Sequence, residues 1–161
     1  MIVVCNTSPI SGLATIGQLD LVRQLFGEIT ISEAVRDELT AKHGQHAGSI
    51  AVGLSWVGVR AVANRLLVDA LRLELDPGES ETIVLAKETS ADLALLDERR
   101  GRMVARRFGL NVIGSVGVLL RAKETGLITE VSPFIDQLRL SGFWMSAALE
   151  KQVRKAAGEE S

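Results

Sequence analysis

The chain has a single cysteine, Cys5, among its 161 residues. An internal disulfide is therefore excluded, and with it the small secreted scaffolds that depend on several; a reducing compartment is the natural home. No apolar run approaches the roughly 18 residues that a membrane span needs. The opening Met1-Ile-Val-Val-Cys5 carries no basic residue ahead of its short apolar run, so it reads as a strand rather than a signal peptide. Repeats, linkers and low-complexity tracts are missing too. So is a charge excess, since 18 basic and 20 acidic side chains give a net charge of −2. Bulk charge does not announce a nucleic-acid binder. What is present is a composition 47% apolar and 24% charged, the balance of a soluble domain with a full core. The expectation is one cytoplasmic domain over 1–161, with 143–161 as a C-terminal helical tail.

Short β-branched or apolar runs at Ile2–Cys5, Glu28–Ile31, Val57–Val62, Leu93–Leu96 and Asn111–Ile113 read as strands. Between them lie stretches with helical spacing. Leu13 to Phe26 forms two short helices broken near Gly17, Ser32 caps a helix carrying Ala34, Val35 and Leu39, and Leu66–Leu75 looks helical. Asp76-Pro77-Gly78-Glu79 restarts a helix with Asp as cap and Pro in the first position. Lys42–Ser55 reads as a loop or ragged helix end. From Val131 the chain is a helix broken near Gly142, then a polar helix to Ala157. Strands separated by helices predict an α/β protein: three layers, α/β/α, around a mostly parallel central sheet. Right-handed crossovers put every strand-to-helix junction on one edge, where such folds bind ligands.

Those junctions collect acids. Asn6, Thr7 and Ser8 follow the first strand; Ser32 and Glu33 follow the second, with Glu38 further along the helix; Asp97 and Glu98 follow Leu93–Leu96; Ser115 follows Asn111–Ile113. Glu79, in the first turn of a crossover helix, faces the same rim. Several carboxylates on one rim suit a hard cation, magnesium or manganese, which takes oxygen ligands, acidifies water and neutralises phosphate charge. Each acid also has a plain reading: Glu79 in a capping box, Asp97 and Ser115 as helix caps, Glu33 as a first-turn charge, Glu38 facing solvent.

Five segments in this order resemble a PIN domain of the VapC-like branch: Val-Val-Cys-Asn6-Thr-Ser-Pro, Glu33-Ala-Val-Arg-Asp-Glu38-Leu, Leu-Asp-Pro-Gly-Glu79-Ser-Glu81, Leu-Leu-Asp97-Glu-Arg-Arg-Gly-Arg, and Ile-Gly-Ser115-Val-Gly-Val-Leu-Leu-Arg-Ala-Lys. The resemblance covers Ile2 to about Gly142. It implies a metal-dependent ribonuclease, often a toxin with a paired antitoxin and often a homodimer. It also implies that Asn6, Glu38, Glu79 and Asp97 hold magnesium or manganese, with Ser115 as a supporting hydroxyl. The resemblance selects Glu38 where junction geometry alone prefers Glu33. One position departs from the family pattern: Asn6 stands where the usual acid is Asp. An amide oxygen can coordinate a hard cation but brings no charge and cannot act as a base. The alternative function is therefore a catalytically impaired PIN module that binds RNA or a protein partner. A small-molecule phosphohydrolase is a third reading, and the Asn6-Thr-Ser-Pro turn lacks the nucleophilic Asp such enzymes place there.

Positive charge is uneven. Arg99, Arg100, Arg102, Arg106, Arg107, Arg121 and Lys123 run without an intervening acid, leaving 11 bases against 20 acids elsewhere. A helix covering a sheet needs a solvated face, and arginines supply one. The functional reading is that Arg99, Arg100, Arg102 and Arg106 hold RNA phosphates beside Asp97, a contact that carries little sequence preference. Elsewhere the readings are structural. His43 and His46 lack Cys or acid partners for zinc, Cys5 is a small buried hydrophobe, and Gly114-Ser-Val-Gly117 lacks the third glycine of a dinucleotide site. Trp56 and Trp144 read as packing residues, with Trp144 beside Phe143 a candidate partner surface.

Overall fold

The computed structural model describes residues 1–41 and 47–160, so His43 and His46 lie outside the described residues. The β-branched start forms β1 (Val3–Cys5), buried at every position. Such a strand needs apolar cover on both faces. It has it: Val3 and Cys5 enter one apolar cluster and Val4 the other. The chain continues through α1 (Thr7–Thr15), α2 (Asp20–Phe26), β2 (Ile29–Ser32), α3 (Glu33–Thr40), a 3-10 helix (Ala47–Gly53) and β3 (Val57–Arg60). Then come α4 (Arg65–Leu71), α5 (Pro77–Glu88), β4 (Leu93–Leu95), α6 (Arg99–Arg107), β5 (Val112–Ile113), α7 (Ser115–Glu124), α8 (Ser132–Leu140) and α9 (Ala147–Ala156).

The five strands pair in parallel in the order β3-β2-β1-β4-β5. Strand order runs outward from β1 to β3, then restarts on the other side of β1 with β4. The reversal falls between β1 and β4, the place where such sheets open a crevice at their carboxyl ends. Asn6 follows β1 and Asp97 follows β4, so both flank it. The Asn6 backbone N–H donates to the Leu95 carbonyl at 2.9 Å and ties the two strand ends together.

On one face, Val3, Cys5, Ile29, Ile31, Leu93 and Leu95 pack with apolar residues of α1, α2, α3, α7, α8 and α9. On the other, Val4, Ala94 and Leu96 pack with α4, α5 and α6. This is the three-layer α/β/α arrangement. Helix α5 is buried continuously from Gly78 to Ala86, because α3, α4 and α6 surround the side that the sheet leaves open.

Two differences from the sequence reading have local causes. The helix expected over Leu66–Leu75 ends at Leu71, and turns carry the chain to Asp76; Asp76 is extended, as a residue before proline prefers, so the helical run does not continue into α5. Trp144 does not pack: it is 83% exposed. It lies in the non-helical stretch between α8 and α9, where Phe143 and Met145 turn inward on either side of it. Trp56 does pack against the first cluster. Among the described residues, no helix is long and apolar enough to cross a membrane.

Candidate active site

Asn6 caps α1 in extended conformation, yet its side chain makes no capping hydrogen bond. That is unusual, because an N-cap amide oxygen ordinarily accepts from an N–H in the first turn. Asn6 is only 3% exposed, and its Oδ1 is buried with no hydrogen-bond partner among the described residues. The next residue, Thr7, donates its hydroxyl to Glu38 Oε2.

Glu38 reaches the same place from α3. Its other oxygen accepts the Gly78 backbone N–H at 3.0 Å. Burial raises its pKa above the ordinary carboxyl value, and the charges of Asp76 and Glu81 push the same way, against the Thr7 and Gly78 hydrogen bonds. Glu33 sits at the strand junction, but its exposed side chain pairs with Arg36 at 3.8 Å. Glu81 turns away as well, accepting from the Ala34 N–H at 3.0 Å and from Arg65 at 2.7 Å.

Glu79 completes a capping box. Its N–H donates to Asp76 Oδ1 at 2.8 Å, while its Oε1 accepts from the Asp76 N–H at 3.3 Å. Burial, and then the Asp76 side chain, push Glu79 up to about 7. Its Oε2 faces Gly101 at the start of α6. Capping and a place on the cleft wall are thus compatible, since Oε1 alone serves the box.

Asp97 does not cap the helix that follows it. Glu98 is the N-cap of α6 and makes no side-chain cap bond. The Asp97 carboxylate instead accepts the backbone N–H of Ser115 at 2.6 Å and its hydroxyl at 2.8 Å. Burial raises the Asp97 pKa, opposed by these two bonds and by the Arg102 charge. Arg102 donates to the Asp97 carbonyl at 2.8 Å.

A cleft of about 340 Å³ opens here, lined by Asn6, Thr7, Ser8, Glu38, Glu74, Leu75, Asp76, Glu79, Glu98 and Arg100. Asp97 and Ser115 are not on its wall. Of the four arginines singled out in the sequence, Arg100 alone lines it. Arg102 is engaged with Asp97, and Arg99 is exposed. Arg106 lines a separate cleft beside Asp92, Asn111 and Arg121. Asp76 stood out in the sequence only as a cap, and Glu74 carried no signal. Their place in the cleft depends on how the turn before α5 folds over α3. Cys5, buried beneath Asn6, has its thiol pushed up by desolvation and is inert.

The donor chemistry fits a hard divalent cation: the cleft is lined by carboxylates and by Asn6, whose buried amide oxygen no donor among the described residues satisfies. Among the described residues no three His, Cys, Asp or Glu side chains form a ready-made metal cluster. Magnesium does not require one, since it keeps several waters and is usually bound through one or two carboxylates.

The fold is a parallel sheet in an α/β/α sandwich with acids gathered around its switch point. The family model DUF3368, whose description is PIN domain, matches residues 2–159, and the chain belongs to that PIN-domain family. The match runs past Gly142 and takes in α9. No curated protein matches the chain.

Proposed function

We propose that the chain is a metal-dependent endoribonuclease hydrolysing RNA phosphodiesters in the acidic cleft at the β1/β4 switch point. The observation that carries this reading is Asn6 Oδ1, a buried oxygen without a donor among the described residues, on a residue that lines the cleft with Glu38, Asp76 and Glu79. Asn6, Glu38 and Glu79 on the cleft wall are the side chains that would hold magnesium or manganese, with Asp97, set back from the wall against Ser115, as the fourth. When bound, the ion supplies charge neutralisation at the phosphate and an acidified water. The chain's own residues do the rest. Thr7 and Gly78 hold Glu38, and Ser115 holds Asp97. Arg100 on the cleft wall offers a cation to a phosphate; Arg99, Arg102 and Arg106 extend that charge along α6. Contacts of this kind grip RNA by its backbone and read little sequence. The toxin form of the reading adds a paired antitoxin and a homodimer. Purified protein should cut RNA with manganese and stop with a chelator, and Asp97→Asn should lose at least roughly 100-fold in rate. An equal rate in that variant would refute the assignment.

Asn6 itself favours a second reading, an impaired module that binds RNA or a protein, because its amide adds no charge to the cation site. Calorimetry separates the two: failure to bind magnesium or manganese at millimolar concentration supports the impaired module.

A further inference from the structure

Three acids of the candidate site each press against a glycine. A Cβ added to Gly78 would lie 2.6 Å from both carboxylate oxygens of Glu38. One on Gly101 would lie 2.6 Å from Glu79 Oε2, and one on Gly114 2.6 Å from Asp97 Oδ1. None of the three has a positive φ, so backbone conformation does not call for glycine at any of them. Gly78 and Gly101 lie in the first turns of α5 and α6, where alanine is the better helix former. Space is the remaining reason. At Gly78 the three nearest atoms to the added carbon all belong to Glu38, and at Gly101 all belong to Glu79. A methyl group there would meet the free end of one flexible side chain, and that carboxylate would move while the backbone stayed.

We propose that Gly78 and Gly101 are positioning residues, sockets that let the Glu38 and Glu79 carboxylates sit against helix backbone and face the cleft. Gly78 acts twice, since its N–H also donates to Glu38 Oε1. Gly114 repeats the arrangement for Asp97. Its added carbon would also crowd the Leu96 carbonyl at 3.3 Å, so it makes a less clean test. The proposal rests on the reading above, in which these acids hold a divalent cation.

The test compares Gly78→Ala and Gly101→Ala with the unaltered chain and with Gly53→Ala, a control whose added carbon meets nothing within 4 Å. Melting in chelator should be unchanged or higher in the two socket variants. Manganese affinity by calorimetry should fall roughly 10-fold or more, the usual scale for losing a group that orients a ligand, and the control should keep it. Unchanged affinity in both variants overturns the proposal. So does a large fall in melting temperature, which would mean that the backbone yields. Should the unaltered chain bind no manganese, the metal reading fails, and the carboxyl ¹³C resonances of Glu38 and Glu79 decide the sockets separately. Resonances that move in the alanine variants uphold them, and unmoved resonances overturn them.

Discussion

Ser115 grips Asp97 with both of its donors, the backbone N–H on Oδ1 at 2.6 Å and the hydroxyl on Oδ2 at 2.8 Å. The N–H is the first of α7, so the carboxylate also meets the positive end of that helix. Removing the hydroxyl leaves one oxygen of a half-buried carboxylate without its partner, a loss of about 1 to 2 kcal/mol. Ser115→Ala is expected to lower the manganese-dependent cleavage rate roughly 10-fold, with the fold retained because the N–H contact survives. Single-turnover cleavage and circular dichroism read the two effects apart.

Glu79 makes the metal-free protein sensitive to pH. Its folded pKa of about 7 lies above the ordinary 4.5, so the folded state holds an extra proton between those values. The stability this confers is fully present below about pH 4.5 and is lost as pH rises through 7. Glu79→Gln removes the charge and keeps a residue suited to the capping box. In chelator at pH 8 it should melt several degrees above the unaltered protein, and at pH 5 the two should converge. Manganese affinity of the unaltered chain should rise with pH up to about 7, because binding must expel that proton. Scanning calorimetry and titration at several pH values measure both.

The alternation of strands and helices was legible because the strands are short runs set off by turn residues, and the inner strands β1 and β4 are apolar on both faces. The position of the site depended on strand order, and nothing local in Leu93–Leu96 says that it pairs with Val3–Cys5 rather than with an outer strand. Glu33 and Glu38 show the same limit. Which of them reaches the cleft is decided by the rotation of α3 against α5, not by distance from the strand end. Asp97 reads locally as a cap for α6, but its partner is Ser115, eighteen residues on, brought alongside by β5. Trp144 fails for a related reason: its neighbours Phe143 and Met145 take the two inward positions.

Arg100 differs from the rest of the basic run in lining the acidic cleft. If it holds a phosphate there, Arg100→Ala should weaken binding of single-stranded RNA and reduce the salt slope by about 0.7, the share of one phosphate contact. Arg106, in the other cleft, should contribute less. Fluorescence anisotropy across a salt series provides the comparison, and equal slopes for Arg100→Ala and the unaltered chain would remove Arg100 from the RNA path.

The tail is fastened by a carboxylate. Glu159 accepts from Lys123 Nζ at 2.8 Å and from the N–H groups of Val131 and Ser132 at 2.8 and 2.9 Å. Burial pushes its pKa up, but Lys123 and the two N–H groups outweigh that and bring it down to about 2. A depressed carboxyl contributes stability above its unfolded pKa of about 4.5 and loses it as pH falls towards 2. Glu159→Ala should lower the melting temperature at pH 7 by roughly 5 °C, on a scale of 2 to 4 °C per kcal/mol for a chain of this size. The difference should shrink below pH 4. Hydrogen exchange should show the loss first in α9, which Lys123 also holds through the Ala157 carbonyl.

Asn6→Asp tests whether the site is one charge short. The substitution places a carboxylate where Asn6 Oδ1 is already buried and has no partner among the described residues, so shape changes little and charge changes by one. In the metal-free protein the new acid joins Glu38 and Glu79, whose ionisation burial already opposes. It should therefore lower the melting temperature above about pH 6 in chelator, since like charges at short range repel. With manganese the sign reverses: affinity should rise at least about tenfold, or 1.4 kcal/mol, and the melting temperature should recover as the ion neutralises the cluster. Cleavage should rise with affinity if the missing charge limits the reaction. Tighter binding with no gain in cleavage would locate the limit elsewhere and favour the impaired module. Equal affinity in Asn6→Asp and the unaltered chain would mean that residue 6 is no ligand, which removes the observation on which the metal assignment stands.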